Sequence, residues 1–308
     1  MIRDEQEGEP LEFEFDVSIV SIGFEQRCRW VTESRDISSK RGIGLEFGFL
    51  ADGSYADNKS FFEGRKFKVI NGLGSGAVGA IIREVSSRVS DERDISVFVD
   101  ISAMSREMIA NVALALKEIS RVTALKVTVA YAPSKYAGPY ASAPIRLASP
   151  IKPALAGWSA FPELPVGALF GLGCDPGLAL GALQFLEPKK AWVFSPKGID
   201  PQFDKALLSA NEHIEDIFDV TRFDYRISNP SQARGRLEVL LNAIDRDFRV
   251  VIVPFGPKIF AWLALATVVF TGRSSVGVWA FSSKEQAQLV DRAADGPIIW
   301  HTLKLGSQ

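Results

Sequence analysis

The stretch Val97-Phe-Val-Asp-Ile-Ser-Ala-Met-Ser-Arg-Glu-Met-Ile-Ala-Asn-Val-Ala-Leu-Ala-Leu116 holds a complete strand-to-helix passage. The run Ile95–Asp100 is short and almost wholly apolar, as in a strand buried on both faces. Met104–Ile119 has helical length and an apolar face wide enough to be a core helix. Asp100, Ser102, Ser105 and Arg106 are confined to the junction between them. Ser102 or Ser105 can cap the helix, whose first N–H groups then face any bound anion. Capping and dipole balance account for Ser102 and Asp100 without a ligand. Arg106 is different, because a cation at a helix N-terminus opposes the macrodipole. An anion lying between them resolves that conflict.

The same alternation extends outward in both directions. Strands are expected over Phe15–Ile22, Gly44–Leu50, Phe67–Ile70 and Leu125–Tyr131, with a helix over Ala77–Val89. The stretch Pro133–Pro165, rich in Pro, Ala, Ser and Gly, reads as a connection. A second series follows: strands over Val166–Leu172, Lys190–Ser195, Arg249–Pro254 and Ser275–Phe281, and helices over Gly177–Leu186, Phe203–Ala210, Gln232–Ile244 and Phe260–Phe270. The end of the chain reads as an irregular tail. Alternating elements of these lengths predict an α/β protein of two Rossmann-like halves with mostly parallel sheets. The expected domains are 1–135 and 166–308, joined by 136–165.

In such sheets ligands bind outside the carboxyl ends of the strands. After the first strand come Gly23, Glu25, Arg27 and Arg29; after a late strand of the second half come Gly256 and Lys258. Arg27 offers a planar fork for phosphate or carboxylate, with Glu25 orienting it or acting as a base. The loop Pro254-Phe-Gly-Pro-Lys258 is fixed by two prolines and leaves its backbone approachable at Gly256. As solvated turns, both loops need no function. The spacing Gly74-x-Gly76-x-x-Gly79, with Asp100 closing the next strand, matches a dinucleotide fingerprint, although two strands precede it. The other reading is a tight turn whose small residues pack helix on sheet. That reading predicts a loss of stability on Gly76→Val.

Asp100, Ile101 and Ser102 resemble the Asp-hydrophobe-Thr strand end of the CARF family, Rossmann-like sensors of cyclic oligonucleotides in prokaryotic antiviral defence. Arg106 stands near the place of that family's lysine, while Ala103 and Met104 stand where it has Gly-Gly. The family's other ligand loop follows its first strand, where this chain has Ser21-Ile-Gly-Phe-Glu-Gln-Arg27. The resemblance spans about residues 13–135. It implies a sensor of a nucleotide-like ligand; together with the strand-end positions, the expected contacts to a nucleotide or other phosphate-bearing molecule are Gly23, Glu25, Arg27, Asp100, Ser102, Ser105, Arg106, Gly256 and Lys258. A protein partner and self-association are both compatible with it. The rival expectation is an enzyme of nucleotides or phosphosugars with its site in the cleft between the two halves, Glu25 or Asp100 as acid or base, and Arg27, Arg106 and Lys258 holding phosphate. A third is a non-catalytic subunit of a defence complex.

Composition narrows the classes. With 35 Lys+Arg against 37 Asp+Glu, net charge gives no sign of a broad basic face for duplex nucleic acid. Two cysteines without C-x-x-C spacing and two histidines leave little for a metal centre or a His-based triad. No cofactor and no metal are expected. The acidic start MIRDEQEGEP is no secretory signal, and the apolar window Ile259–Thr271 is too short to span a bilayer. The cytoplasm is the expected compartment.

Overall fold

The computed structural model describes residues 2–48, 52–86, 94–138, 140, 144–198, 200–282 and 290–306. The chain forms two compact units, Met1–Lys135 with Ala287–Gln308, and Tyr136–Gln286.

The first unit runs β1 (Ile2–Glu7), β2 (Glu14–Ile22), α1 (Arg27–Ser34), β3 (Ser38–Glu46), α2 (Tyr55–Gly64), β4 (Lys68–Asn71), α3 (Ala77–Ser86), β5 (Ile95–Asp100), α4 (Arg106–Ile119) and β6 (Leu125–Tyr131). The second contains β7 (Leu147–Pro150), β8 (Val166–Gly171), α5 (Leu178–Leu186), β9 (Lys190–Lys197), α6 (Pro201–Ala210), α7 (Ile214–Ile217), β10 (Val220–Arg226), α8 (Pro230–Ile244), β11 (Arg249–Pro254), α9 (Lys258–Phe270) and β12 (Gly277–Ser282). The last strand, β13 (Ile299–Leu305), returns to the first unit.

The first sheet has seven strands in the order β1-β13-β6-β5-β2-β3-β4. Strands β2 to β6 are mutually parallel; β13 is antiparallel to β6, and β1 to β13. Counted in chain order, the five parallel strands lie 3-2-1-4-5, the Rossmann order, with its reversal between β2 and β5. Val31 of α1 and Phe62 of α2 share one core cluster with Val20, Ile22, Phe98, Ala130 and Trp300, and α3 packs on α4. Right-handed crossovers produce this pairing, because connections on opposite sides of a reversal fall on opposite faces.

The second sheet has six strands, β10-β9-β8-β11-β12-β7, parallel except for β7 against β12. Its parallel strands again lie 3-2-1-4-5, so the two halves repeat one topology. Every residue of α9 from Ile259 to Phe270 is buried. An all-round apolar helix of this length is a core element, and none of the described helices is long and apolar enough to cross a membrane.

Several elements depart from the sequence reading. The strand expected over 44–50 runs Ser38–Glu46, and 49–50 lie outside the described residues. The helix expected over 77–89 is seen to Ser86, with 87–89 likewise outside. Part of the presumed connection is sheet, since β7 pairs with β12. The expected second half, 166–308, loses its end to the first sheet. The stretch expected as an irregular tail contains β13, an interior strand bonded to β6 and β1.

Asp16 ties the centre of the first sheet together. Its carboxylate accepts from Ser96 N–H (3.0 Å), Ser96 Oγ (2.9 Å) and Lys40 Nζ (2.7 Å). Partial burial works against its charge, but the bonds from Lys40 and Ser96 outweigh that and hold its pKa at about 2. A depressed carboxylate contributes stability above its unfolded value and loses it as pH falls through the folded value. Asp16→Asn should therefore flatten the rise of stability with pH between about 2 and 3.8. Urea melts across that window check it, and an unchanged slope would count against the assignment.

Candidate functional site

The strand order places two polar loops on either side of the reversal in the first sheet. One follows β2 and holds Gly23, Glu25 and Arg27; the other follows β5 and holds Asp100, Ser102, Ser105 and Arg106.

Gly23 and Glu25 are held from below by Asn58 of α2, whose amide donates to Gly23 O at 2.8 Å and Glu25 O at 2.9 Å. Arg27 is 2% exposed and Glu25 8%. The Arg27 Nε donates to the Glu25 carboxylate, and Nη1 donates to Ala132 O at 3.3 Å. Burial works against the guanidinium charge, yet Glu25, with Tyr131 and Cys28, holds its pKa above the ordinary value. Arg27 is thus a permanent cation used inside the protein. The sequence reading gave it to a ligand; here its fork is turned on Glu25 and on the loop after β6.

Ala132 joins the loops after β2, β5 and β6. Its carbonyl accepts from Arg27, and its N–H donates to Ser102 Oγ at 2.8 Å. Ser102, fully buried, is therefore not the cap of α4. That role belongs to Ser105, whose Oγ accepts from Met108 N–H at 3.1 Å. Asp100 Oδ1 accepts from Ser102 N–H at 2.9 Å, closing an Asx turn that aims the chain into α4. Arg106 is the first residue of α4 and is half-buried. The structure therefore brings Glu25, Arg27, Asp100 and Ser102 into one bonded network at the carboxyl edge. Ser105 and Arg106 stand beside it at the helix start.

The glycine fingerprint lies elsewhere. Gly74–Gly79 follows β4, the outer strand of the sheet, so the loop is not at the reversal and Asp100 is not on a neighbouring strand. Nor do these glycines pack helix on sheet. A Cβ at Gly76 meets nothing within 4 Å, and at Gly79 it meets only the end of Arg83. Gly74 is needed for its φ of +78°. The close contact is at Gly72, where a Cβ would lie 2.8 Å from Met108 and 2.9 Å from Leu45. The expected loss of stability on Gly76→Val is corrected accordingly. That variant should lose no more than about 1 kcal/mol, the cost of a poorer residue at the start of α3, and a loss above about 2 kcal/mol by urea titration would reject the reading.

Gly256 and Lys258 occupy the equivalent reversal of the second sheet, between β8 and β11. There the two loops meet backbone on backbone. A Cβ at Gly256 would lie 2.0 Å from Leu172 O, and one at Gly173 would lie 2.8 Å from Gly256 N. Gly256 also has φ +68°, so both sterics and conformation require glycine. Lys258 is half-buried at the first position of α9. Cys174 beside this loop is a thiol that burial, with Asp175 and Asp204, pushes up to about 11, which favours the protonated form over the thiolate.

Asn58 was missed by the sequence reading, and so were two residues like it. Asn111 of α4 donates to Gly72 O at 2.9 Å, and Asn211, just after α6, donates to Gly173 O at 2.9 Å. All three are buried. In each unit a buried asparagine thus holds the glycine that follows the first parallel strand. Neither histidine joins the site: His301 is buried against Asp4, and His213 is exposed. Among the described residues no group of His, Cys, Asp and Glu could hold a metal ion.

With the geometry in place, the chain can be compared with solved structures. It is similar to a Type III CRISPR defence DNA nuclease activated by cyclic oligoadenylate, at a TM-score of 0.50 and 9% identity. The likeness is one of fold. It covers 82% of this chain and 63% of that one, so it reaches into both units while leaving over a third of the nuclease unmatched. A universal stress protein from Archaeoglobus fulgidus DSM 4304 aligns over 88% of this chain and 97% of its own at 12% identity, with a TM-score of only 0.24. No protein-family model and no curated protein matches the chain.

Proposed function

We propose that the first unit is a receptor for a phosphate-bearing nucleotide, bound between the loops after β2 and β5, and that the second unit transmits its occupancy. The observation that carries this reading is the strand order, which sets Arg106 and the capped start of α4 at the reversal opposite the loop 23–27. Ser105, Arg106 and the backbone of Gly23–Arg27 contact the phosphate in this reading. Glu25, Arg27, Asp100 and Ser102 shape the pocket floor. Gly256 and Lys258 hold the corresponding place in the second unit.

Recognition is favoured over turnover because the carboxylates are already engaged. Glu25 is paired with Arg27 and Asp100 Oδ1 closes the turn at Ser102, so both carboxylates serve the fold, which supports binding over proton transfer. Fold likeness to a nuclease that cyclic oligoadenylate activates supplies the first probe to try. Titration calorimetry of the full chain with AMP, ATP, cyclic tetra-adenylate and cyclic hexa-adenylate tests the reading, with mass spectrometry of the recovered nucleotide. Saturable binding of at least one, returned intact, is expected. Consumption of the nucleotide would make the protein an enzyme, and the absence of any binding would remove the receptor.

A further inference from the structure

Helix α1 begins without a cap of its own: Gln26, at its N-cap, has helical backbone angles and makes no side-chain cap bond. The anion it needs comes from 265 residues away. Asp291 Oδ1 accepts from Gln26 N–H at 2.7 Å, and its Oδ2 accepts from Ser54 Oγ at 2.6 Å. The next carbonyl, that of Arg292, accepts from Arg27 N–H at 3.4 Å. A carboxylate thus sits on the N–H of Gln26, and a carbonyl on that of Arg27, at the end of α1 where helix polarity favours an anion.

The same short segment is zipped to another. Lys135 N–H donates to Ala293 O at 3.0 Å, Asp295 N–H donates to Pro133 O at 2.9 Å, and Ser134 pairs antiparallel with Ala294. These positions matter for connectivity. The chain leaves the first unit after Lys135 and returns to it at Ala287. Residues 291–295, which lead into β13, therefore tie together the start of α1, Ser54 before α2 and the outgoing segment 133–135.

We propose that residues 291–295 are a latch that occupies the anion position on α1 in the empty protein and is displaced by the ligand phosphate. Displacement removes Asp291 from Gln26 and frees the short ladder between 133–135 and 293–295. Occupancy is thereby felt on both segments through which the first unit is connected to the second. A self-anion at the site also competes with the ligand, so the latch sets a threshold for binding. This inference rests on the receptor reading above.

Two measurements on the full chain test it. The first needs no ligand. In Asp291→Asn, amide hydrogen exchange resolved by NMR should quicken about fivefold or more at Gln26, Arg27, Lys135 and Asp295 together, while Met108 keeps its protection. Faster exchange at Gln26 alone, or none, overturns the coupling. The second is calorimetry with cyclic tetra-adenylate. Asp291→Asn should bind about fivefold or more tightly than wild type, with Ser54→Ala moving in the same direction by less. If Asp291→Asn changes nothing while Arg106→Ala weakens binding, the receptor stands and the latch is wrong. If neither wild type nor the Asp291 variant takes any of the four nucleotides, the receptor reading fails and the displacement goes with it.

Discussion

Arg27→Ala should lower the unfolding free energy by about 3–5 kcal/mol, the cost of stranding one member of a buried ion pair. Arg27 and Glu25 are both buried, and the guanidinium also holds Ala132 O. Truncation leaves the Glu25 carboxylate enclosed without its counter-charge and leaves a carbonyl short of a donor. Replacing both partners with apolar side chains of similar volume, Glu25→Leu with Arg27→Met, should recover most of the loss, because buried pairs contribute little net stability over well-packed apolar groups. Urea unfolding of the two variants beside wild type is the check. A single-mutant loss under about 1 kcal/mol would place Arg27 outside the core and return it to the ligand.

This outcome bears on what the sequence can and cannot disclose. Strands β5, β6, β8 and β11 are legible because each is largely buried and reads as a short, mainly apolar run of strand length. The sheet edges are not. Strand β1, Ile-Arg-Asp-Glu-Gln-Glu, has a single apolar residue, and it pairs with β13 through the backbone ladder and the contact of Asp4 with His301. Strand β10, Val-Thr-Arg-Phe-Asp-Tyr-Arg, is half-buried. Helix α1 escaped notice because two of its four buried residues are Arg27 and Thr32, so its inward face looks polar. The topology that locates the site depends on which strands neighbour one another, and no local pattern carries that. Loop residues were legible as polar groups after strands, but their direction was not. Ser102 and Ser105 are equivalent on paper; only the fold turns one to Ala132 and the other to the helix start. Asn111, a polar residue in a run of Val, Ala and Leu, is the signal that could have pointed to the asparagines that hold the loops.

Arg106→Ala separates binding from folding. It should weaken the affinity for the nucleotide that binds wild type about 10- to 100-fold, since a charge-assisted bond contributes roughly 1.5–3 kcal/mol and 1.4 kcal/mol is tenfold. Its stability without ligand should stay within about 1 kcal/mol of wild type, because a half-buried, partly solvated guanidinium at a helix start contributes little to folding whatever partner it holds. The contrast with Arg27 follows from position: Arg106 is half-buried at the opening of α4, whereas Arg27 is enclosed by the loops after β2 and β6. Salt supplies a second signature. Contact between a guanidinium and phosphate is screened by added electrolyte, so raising ionic strength should weaken wild-type binding more steeply than that of the variant. Calorimetry at two salt concentrations, with urea melts of the same preparations, measures all of this. A variant that binds as wild type does, or that loses stability on the scale of Arg27→Ala, would show that Arg106 serves the fold and that the phosphate lies elsewhere.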